Sequence, residues 1–230
     1  MLLLPMPNPN TTPRVIVPSI DTFIFDFDGT IADSFTTIVA ICNQMAQEFG
    51  YHVASDSEID HLRNLNSRQI IKQSGISVLK LPMLIRRLKM ELNHVVHTLT
   101  PIAGIPEALS SLKQQGYQLG ILTSNGRENV EAFLHSNAML HLFDFIYSGA
   151  TLFGKSRLIH QCLRQQNLSP SQVVYVGDET RDIEAARKIS IRAVAVAWGF
   201  NTATVLSNHQ PDFLLSDPAE LLQIARVLDG

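Results

Sequence analysis

From residue 101 onward the sequence alternates between short apolar runs and amphipathic stretches. Residues 117–123, 145–148, 173–177 and 193–197 are rich in aliphatic, aromatic and β-branched side chains. Between them, 106–115, 127–137, 155–166 and 181–189 repeat their apolar residues at three- and four-residue spacing, the helical period. A last short strand at 213–215 and a helix at 218–227 follow. Consecutive parallel strands need a crossover, and a helix is the usual one, so this order predicts βαβ units and a mainly parallel sheet. One more strand stands upstream: residues 22–26, Thr-Phe-Ile-Phe-Asp, closed by Asp28-Gly29-Thr30.

Residues 33–99 break the pattern. They contain helical spacing at 34–49, 67–74 and 82–98 and no convincing strand. In the first of these, Phe35, Ile38, Ile41, Cys42, Met45 and Phe49 form the apolar stripe, with Ser34 as N-cap and Gly50 as stop. The expected organisation is therefore an α/β core over 19–32 and 100–230, with a small all-helical domain over 33–99 inserted between its first two strands. Residues 1–18 read as an extension; Pro5, Pro7, Pro9, Pro13 and Pro18 disfavour a helix there.

Composition narrows the function classes. Charged residues are 17% of the chain, below the usual quarter or so of globular proteins, which favours a well-buried core. A net charge of −3 argues against a nucleic-acid surface, which needs a basic excess. The two cysteines, Cys42 and Cys162, form no CxxC pair. That excludes a cysteine-rich zinc module and favours a reducing, cytoplasmic compartment. No apolar run approaches the roughly 18 residues that span a bilayer, and the first residues lack the pattern of a signal peptide.

In an open parallel sheet, ligands bind beyond the carboxyl ends of the strands, and those ends are polar here. Asp26, Asp28, Gly29 and Thr30 follow the first strand. Thr123, Ser124, Asn125 and Gly126 follow the second, Lys155 the third, and Asp178, Glu179 and Asp182 the fourth. Each alone reads as a turn, a cap or a solvated residue. Together they set several carboxylates, hydroxyls and one lysine on a single sheet edge. Carboxylates crowded in this way stay ionised only around a cation. Oxygen ligands without nearby histidine or cysteine point to Mg²⁺, and Mg²⁺ with a lysine and hydroxyls is a phosphate-handling set.

The residues Asp26-Phe27-Asp28-Gly29-Thr30, Thr123, Lys155 and Gly177-Asp178-Glu179-Thr180-Arg181-Asp182 resemble, in order, the four motifs of the haloacid dehalogenase-like superfamily of phosphohydrolases. The resemblance covers about residues 20–228. It implies a Rossmann-like sheet of order 5-4-1-2-3 with a helical cap of the C1 type, which residues 33–99 fit. Residues 28–34, 177–187 and 198–201 resemble its phosphoglycolate phosphatase-like group. The resemblance implies that Asp26 is the nucleophile, that Asp28 is the acid and base, and that Lys155 neutralises charge. It gives Thr123 and Ser124 the phosphoryl oxygens, with Asn125 beside them. It gives Mg²⁺ to Asp26, the Asp28 carbonyl, Asp178 and Asp182, directly or through water. An Asp at position 28 supplies an acid for an oxygen leaving group, so the family implies a phosphatase or a phosphomutase. Related mutases carry a histidine where this chain has Ile38, which disfavours that branch.

Arg63 and Arg68, in the polar stretch 63–68, are the candidate cap contacts to an anionic substrate. The expected partner is a small phosphate ester such as phosphoglycolate or a sugar phosphate, with no nucleic acid and no membrane, the protein being a monomer or homodimer. Two alternatives compete. Residues 149–156 match the P-loop pattern GxxxxGK[ST] after a predicted strand, although this leaves the first two motifs unexplained. A non-catalytic binder of phosphorylated metabolites on the same fold is the other. His94 with His97, and Arg86, Arg87 and Lys89, read as a solvated helix face; a cap cation meeting an anionic substrate is the other reading of the basic run.

Overall fold

The computed structural model describes residues 20–149 and 154–229. The expected extension over 1–18 and residues 150–153 of the P-loop-like segment lie outside the described residues. Six strands, β1 (Thr22–Phe25), β2 (Gln118–Leu122), β3 (Phe145–Tyr147), β4 (Val173–Gly177), β5 (Arg192–Val196) and β6 (Phe213–Leu215), form one sheet of order β3-β2-β1-β4-β5-β6. Every neighbouring pair is parallel. The expected order is present, with β6 added outside β5.

Strand alternation sorts side chains onto two faces. Phe23 and Phe25 face a core filled by α5 (Ile105–Gln114), α6 (Arg127–Ser136) and α10 (Glu220–Asp229), through residues such as Leu109, Phe133 and Leu221. Ile24 and Tyr175 face the opposite core, with Ile159 of α7 (Lys155–Gln166), Ile183 of α8 (Thr180–Lys188) and Leu206 of α9 (Ala203–Asn208). All four residues of β1 are buried, as a central strand covered on both faces requires. Burying each phenylalanine contributes about 1.5–3 kcal/mol.

The chain runs outward from β1 to β2 and β3, then returns to lay β4 on the other side of β1. The topological switch point therefore lies between β1 and β4. The carboxyl ends of these strands open onto the crevice where such sheets bind ligands.

Between β1 and α5 come α1 (Phe35–Phe49), α2 (Asp56–Leu62), α3 (Ser67–Ser74) and α4 (Leu81–Val95). This segment has its own hydrophobic cluster: Ile41, Met45, Phe49, Ile76 and Leu92, with Ile38, Leu84 and Leu88 packed against it. Gly50, at φ 80°, ends α1 in the left-handed conformation by donating to the Ala46 carbonyl. Ser34 stands at the N-cap position of α1, but its hydroxyl makes no capping bond, because its backbone is helical rather than extended and the hydroxyl is buried toward the Asp28 side chain. The helix α2 was not anticipated: it buries no residue, so it lacks the apolar stripe by which helices are recognised. It is set instead by a capping box between Ser55 and Glu58. The chain enters and leaves the segment side by side, with Asp33 N donating to Thr100 O (3.0 Å) and Ile102 N to Ile31 O (2.9 Å). Among the described residues, no helix is long and apolar enough to cross a membrane.

Candidate active site

The β1 register places Phe25 opposite Ile121 on one side and Val176 on the other, so Asp26 emerges at the switch point. It is 2% exposed. Its Oδ1 accepts from Phe27 N (2.8 Å) and its Oδ2 from Lys155 Nζ (2.6 Å). The chain then turns sharply, with the amides of Thr30, Ile31 and Ala32 all donating to the Phe27 carbonyl. Gly29 sits in this turn at φ 76°, and a Cβ there would run into Asp178 Oδ2 and the Phe200 ring. The glycine is thus required by close packing as well as by backbone conformation.

Asp28 faces the same crevice. Its Oδ2 accepts from Asn125 Nδ2 (3.0 Å), while its Oδ1 is buried and the buried Ser34 hydroxyl also faces the carboxyl. Burial first, and the Asp26 charge second, push its carboxyl up to about 6, against the pull of Ser34 and Asn125. A carboxyl so placed exchanges a proton near neutrality.

Lys155 opens α7 and is 3% exposed. Its ammonium bridges Asp26 and Asp182 and lies 5.5 Å from the centre of the Tyr175 ring. Burial alone would lower its pKa, yet Asp182 and Asp26 hold it above the ordinary lysine value. On α8, Glu179 and Asp182 form a reciprocal cap, and Arg181 pairs with Glu179. Against Lys155 and Arg181 therefore stand Asp26, Asp28, Asp178, Glu179 and Asp182. Burial pushes Asp182 up to about 6, with Lys155 opposing, and it pushes Asp178 well above the carboxylate range, with Glu179, Asp182 and Asp26 adding to the shift.

This is the signature of a carboxylate cluster suited to a hard cation. Oxygens of Asp26, Glu179 and Asp182 lie within 4.8 Å of one another, and the donors are all oxygen, which fits Mg²⁺. The grouping differs from the expected one. Asp178 is fully buried but directs Oδ1 to the Thr30 hydroxyl (2.7 Å) and Oδ2 to Phe200 N (2.7 Å). Glu179, one of the carboxylates expected at the strand ends but not among the expected metal ligands, takes a place among the converging oxygens.

Thr123 is fully buried just beyond β2, and its Oγ1 accepts from Asn125 N (3.0 Å). Ser124 is half-buried beside it. Arg63 is placed differently from expectation. Its Nε and Nη2 donate to the carbonyls of Phe200 (3.2 Å) and Gly199 (2.9 Å), and its guanidinium lies 5.0 Å from the centre of the Phe35 ring. Asn201 Nδ2 returns bonds to the carbonyls of Arg63 and Leu65, both at 3.0 Å. Arg63 thus clamps the helical segment onto the loop after β5 and commits these donors to main chain. Arg68 lies exposed on α3.

The basic run on α4 divides. Arg87 pairs with Glu91 (2.9 Å). Lys89 is half-buried; burial holds its ammonium below the ordinary lysine value, with the Asp28 carboxylate opposing. It lines, with Arg86, His94 and Arg127, a cavity of about 660 Å³ between α4 and α6. The spacing of Arg86 and Lys89 was a usable signal for this shared helix face. Ile38 packs into the helical cluster, so no proton-transfer group occupies that position. Against the P-loop reading, Lys155 faces the carboxylates Asp26 and Asp182 at the end of β1 and the start of α8, and β3 before it is an edge strand.

A doubly wound parallel sheet with a buried aspartate–lysine–carboxylate cluster at its switch point defines a class of hydrolytic α/β enzymes. The family model for haloacid dehalogenase-like hydrolases matches residues 23–196. A phosphoglycolate phosphatase of Synechococcus elongatus is 40% identical over 200 residues, covering 87% of this chain and 94% of that protein. A pyrophosphatase of Bacillus velezensis is 27% identical over 213 residues, covering 90% and 97%. A haloacid dehalogenase-like hydrolase structure from Streptococcus pneumoniae shares the fold at a TM-score of 0.74 and 24% identity, covering 89% of this chain and 98% of that one. The chain belongs to the haloacid dehalogenase-like hydrolase family, and within it is an enzyme of the phosphatase type.

Proposed function

We propose that the protein is a Mg²⁺-dependent phosphomonoesterase that hydrolyses a small anionic ester of the phosphoglycolate kind through an aspartyl-phosphate on Asp26. The observation that carries this reading is the contrast between two neighbouring carboxyls. Asp26 is bound by the buried Lys155 ammonium, whereas Asp28 is pushed up to about 6. One is fitted to attack and the other to carry a proton.

The Asp26 carboxylate attacks phosphorus, and a bond from Asp26 oxygen to phosphorus forms as the ester P–O bond breaks. Asp28 gives its proton to the departing alkoxide. A water then attacks phosphorus, yields its proton to Asp28, and releases inorganic phosphate with Asp26 regenerated. Thr123, the Ser124 amide and Lys155 hold the phosphoryl oxygens. Asp26, Asp182 and Glu179, with Asp178 and the Asp28 carbonyl as further donors, would hold Mg²⁺. Bound there, the ion would offset carboxylate repulsion and phosphoryl charge.

Residues 33–99 act as a cap that excludes water and selects the leaving group. Lys89 and Arg86, lining the cavity beside α6, suit the carboxylate of phosphoglycolate, with Arg68 a further cap contact. The same cations would suit the second phosphate of pyrophosphate, the substrate named for the Bacillus relative. Both cysteines are free, in keeping with a cytoplasmic enzyme.

The test is phosphate release from phosphoglycolate, sugar phosphates, nucleotides, pyrophosphate and p-nitrophenyl phosphate, with Mg²⁺ and with EDTA. Release that needs Mg²⁺ and is fastest on phosphoglycolate is expected. Preference for a neutral sugar phosphate would overturn the substrate assignment, and no release from any ester would overturn the phosphatase mechanism.

A further inference from the structure

An unbroken chain of side-chain amides runs from the helical segment to Asp28. Asn93 Nδ2 on α4 donates to Asn129 Oδ1 (2.7 Å). Asn129 Nδ2 donates both to the Lys89 carbonyl of α4 (3.0 Å) and to Asn125 Oδ1 (2.9 Å). Asn125 Oδ1 also accepts from Gly126 N (2.7 Å), and Asn125 Nδ2 donates to Asp28 Oδ2 (3.0 Å). Asn129 and Asn125 are 3% and 4% exposed.

The direction of every link is anchored by main chain. The Lys89 carbonyl can only accept, so it fixes which end of the Asn129 amide faces α4. The Gly126 amide can only donate, so it fixes the Asn125 oxygen and leaves the Asn125 amino group facing Asp28. Asp28 Oδ2 is thereby held as an acceptor, while Oδ1 is the carboxyl oxygen that the amide chain does not engage. Removing α4 from this contact would strip Asn129 of one acceptor and one donor at once. A buried amide does not tolerate that loss in place.

We propose that Asn129 is a positioning residue that couples docking of α4 on the core to the orientation of the Asp28 carboxyl. The coupling rests on the phosphatase reading of Asp26 and Asp28 given above. Its consequence is that proton delivery to the leaving group is in register only when the helical segment is seated. Asn129 itself touches no reacting atom.

A leaving-group comparison tests this, because p-nitrophenolate departs with little help from an acid whereas an alkoxide needs it. The quantity is kcat/KM, which reports steps up to leaving-group departure, measured on phosphoglycolate and on p-nitrophenyl phosphate. For Asn129→Ala, kcat/KM is expected to fall about tenfold or more on phosphoglycolate, the loss lying in kcat rather than in KM, and less than about threefold on p-nitrophenyl phosphate, within the range of general-acid contributions. Asn93→Ala, an exposed position on α4, should fall in the same order by a smaller factor. It carries the test if Asn129→Ala does not fold. Equal losses on both esters in these variants, or none, would overturn the proposal and leave Asn129 a structural residue. A wild-type protein inactive on both esters would overturn the phosphatase reading and the coupling together.

Discussion

Asp26 and Asp28 are two residues apart, yet their surroundings give them opposite tasks. Lys155 binds the first at 2.6 Å, and burial pushes the second up to about 6. Asn in place of Asp26 keeps the shape but replaces one acceptor oxygen with a donor and removes the charge and the nucleophile. Asp26→Asn is therefore expected to lower turnover at least about a thousandfold, the scale on which loss of a nucleophile is felt. Intact-mass measurement after mixing with substrate should show no phosphoryl adduct on the variant. Lys89 reaches the site from the other side. Lys89→Met keeps the aliphatic stem and removes the cation, so KM for phosphoglycolate should rise about ten- to a hundredfold, as expected for losing a hydrogen bond to a charged group. The increase for p-nitrophenyl phosphate, whose leaving group carries no carboxylate, should be much smaller.

At the scale of elements, the helical segment is fastened by main chain as much as by side chains. The loop after α2 and the loop after β5 exchange bonds through Arg63, Asn201 and Thr202, the last reaching Asn64 Oδ1 at 2.7 Å. Phe35 and Phe200 meet edge-to-face at 5.1 Å beneath the Arg63 guanidinium. Arg63→Ala removes that fastening without touching Asp26 or Asp28. Steady-state kinetics should show KM raised about five- to tenfold, equivalent to a hydrogen bond or two, with kcat changed less. A drop in kcat at constant KM would instead place Arg63 on the reacting group. Arg86, Lys89 and Asn93 lie on one face of α4 by their three- and four-residue spacing, so this helix brings both charge and the amide chain to the site.

For the whole molecule, the sheet order gathers carboxylates that are distant in sequence, and their mutual repulsion becomes a property of the fold. Asp28 and Asp182 are each pushed up to about 6 and Asp178 well above the usual carboxylate range, whereas in the unfolded chain they titrate near about 3.9. Between these values the folded protein binds more protons than the unfolded one. The stability these carboxyls contribute to the metal-free protein is therefore fully present at acidic pH and is lost as pH rises through about 6. Mg²⁺ binds the ionised carboxylates and reverses the loss. Thermal melts should show a large Mg²⁺-induced rise in Tm near about pH 7.5 and little near about pH 5. At a hundredfold excess over Kd the gain is about 2.7 kcal/mol, equivalent to ~5–10 °C for a chain of this size. An equal rise at both pH values would separate the metal from these carboxylates.

Strand and helix order was legible because periodicity is a local property, and local hydrophobic spacing decides whether a segment coils or extends. The parallel sheet followed from alternation alone. The residues Asp26, Asp28, Thr123, Lys155, Asp178 and Asp182 were legible because each stands at the carboxyl end of a strand or at the start of the helix that follows one, and a parallel sheet carries all such ends to one edge. Short α2 and α9 were not, since a helix with almost no buried stripe leaves no periodic trace. Side-chain direction was not legible either. That Asp178 turns to Thr30 and Phe200 while Glu179 joins the carboxylate cluster depends on packing between strands far apart in the chain. That Arg63 grips the loop after β5 depends on the same kind of contact. Asn125 and Asn129 stand four apart, a spacing visible in sequence, but the bonds that tie Asn129 to α4 exist only once α4 is seated on α6. Sequence determined which groups reach the sheet edge, through local periodicity. Tertiary structure decided which atoms they offer one another, because hydrogen-bond direction and burial are set by neighbours that the sequence does not place side by side.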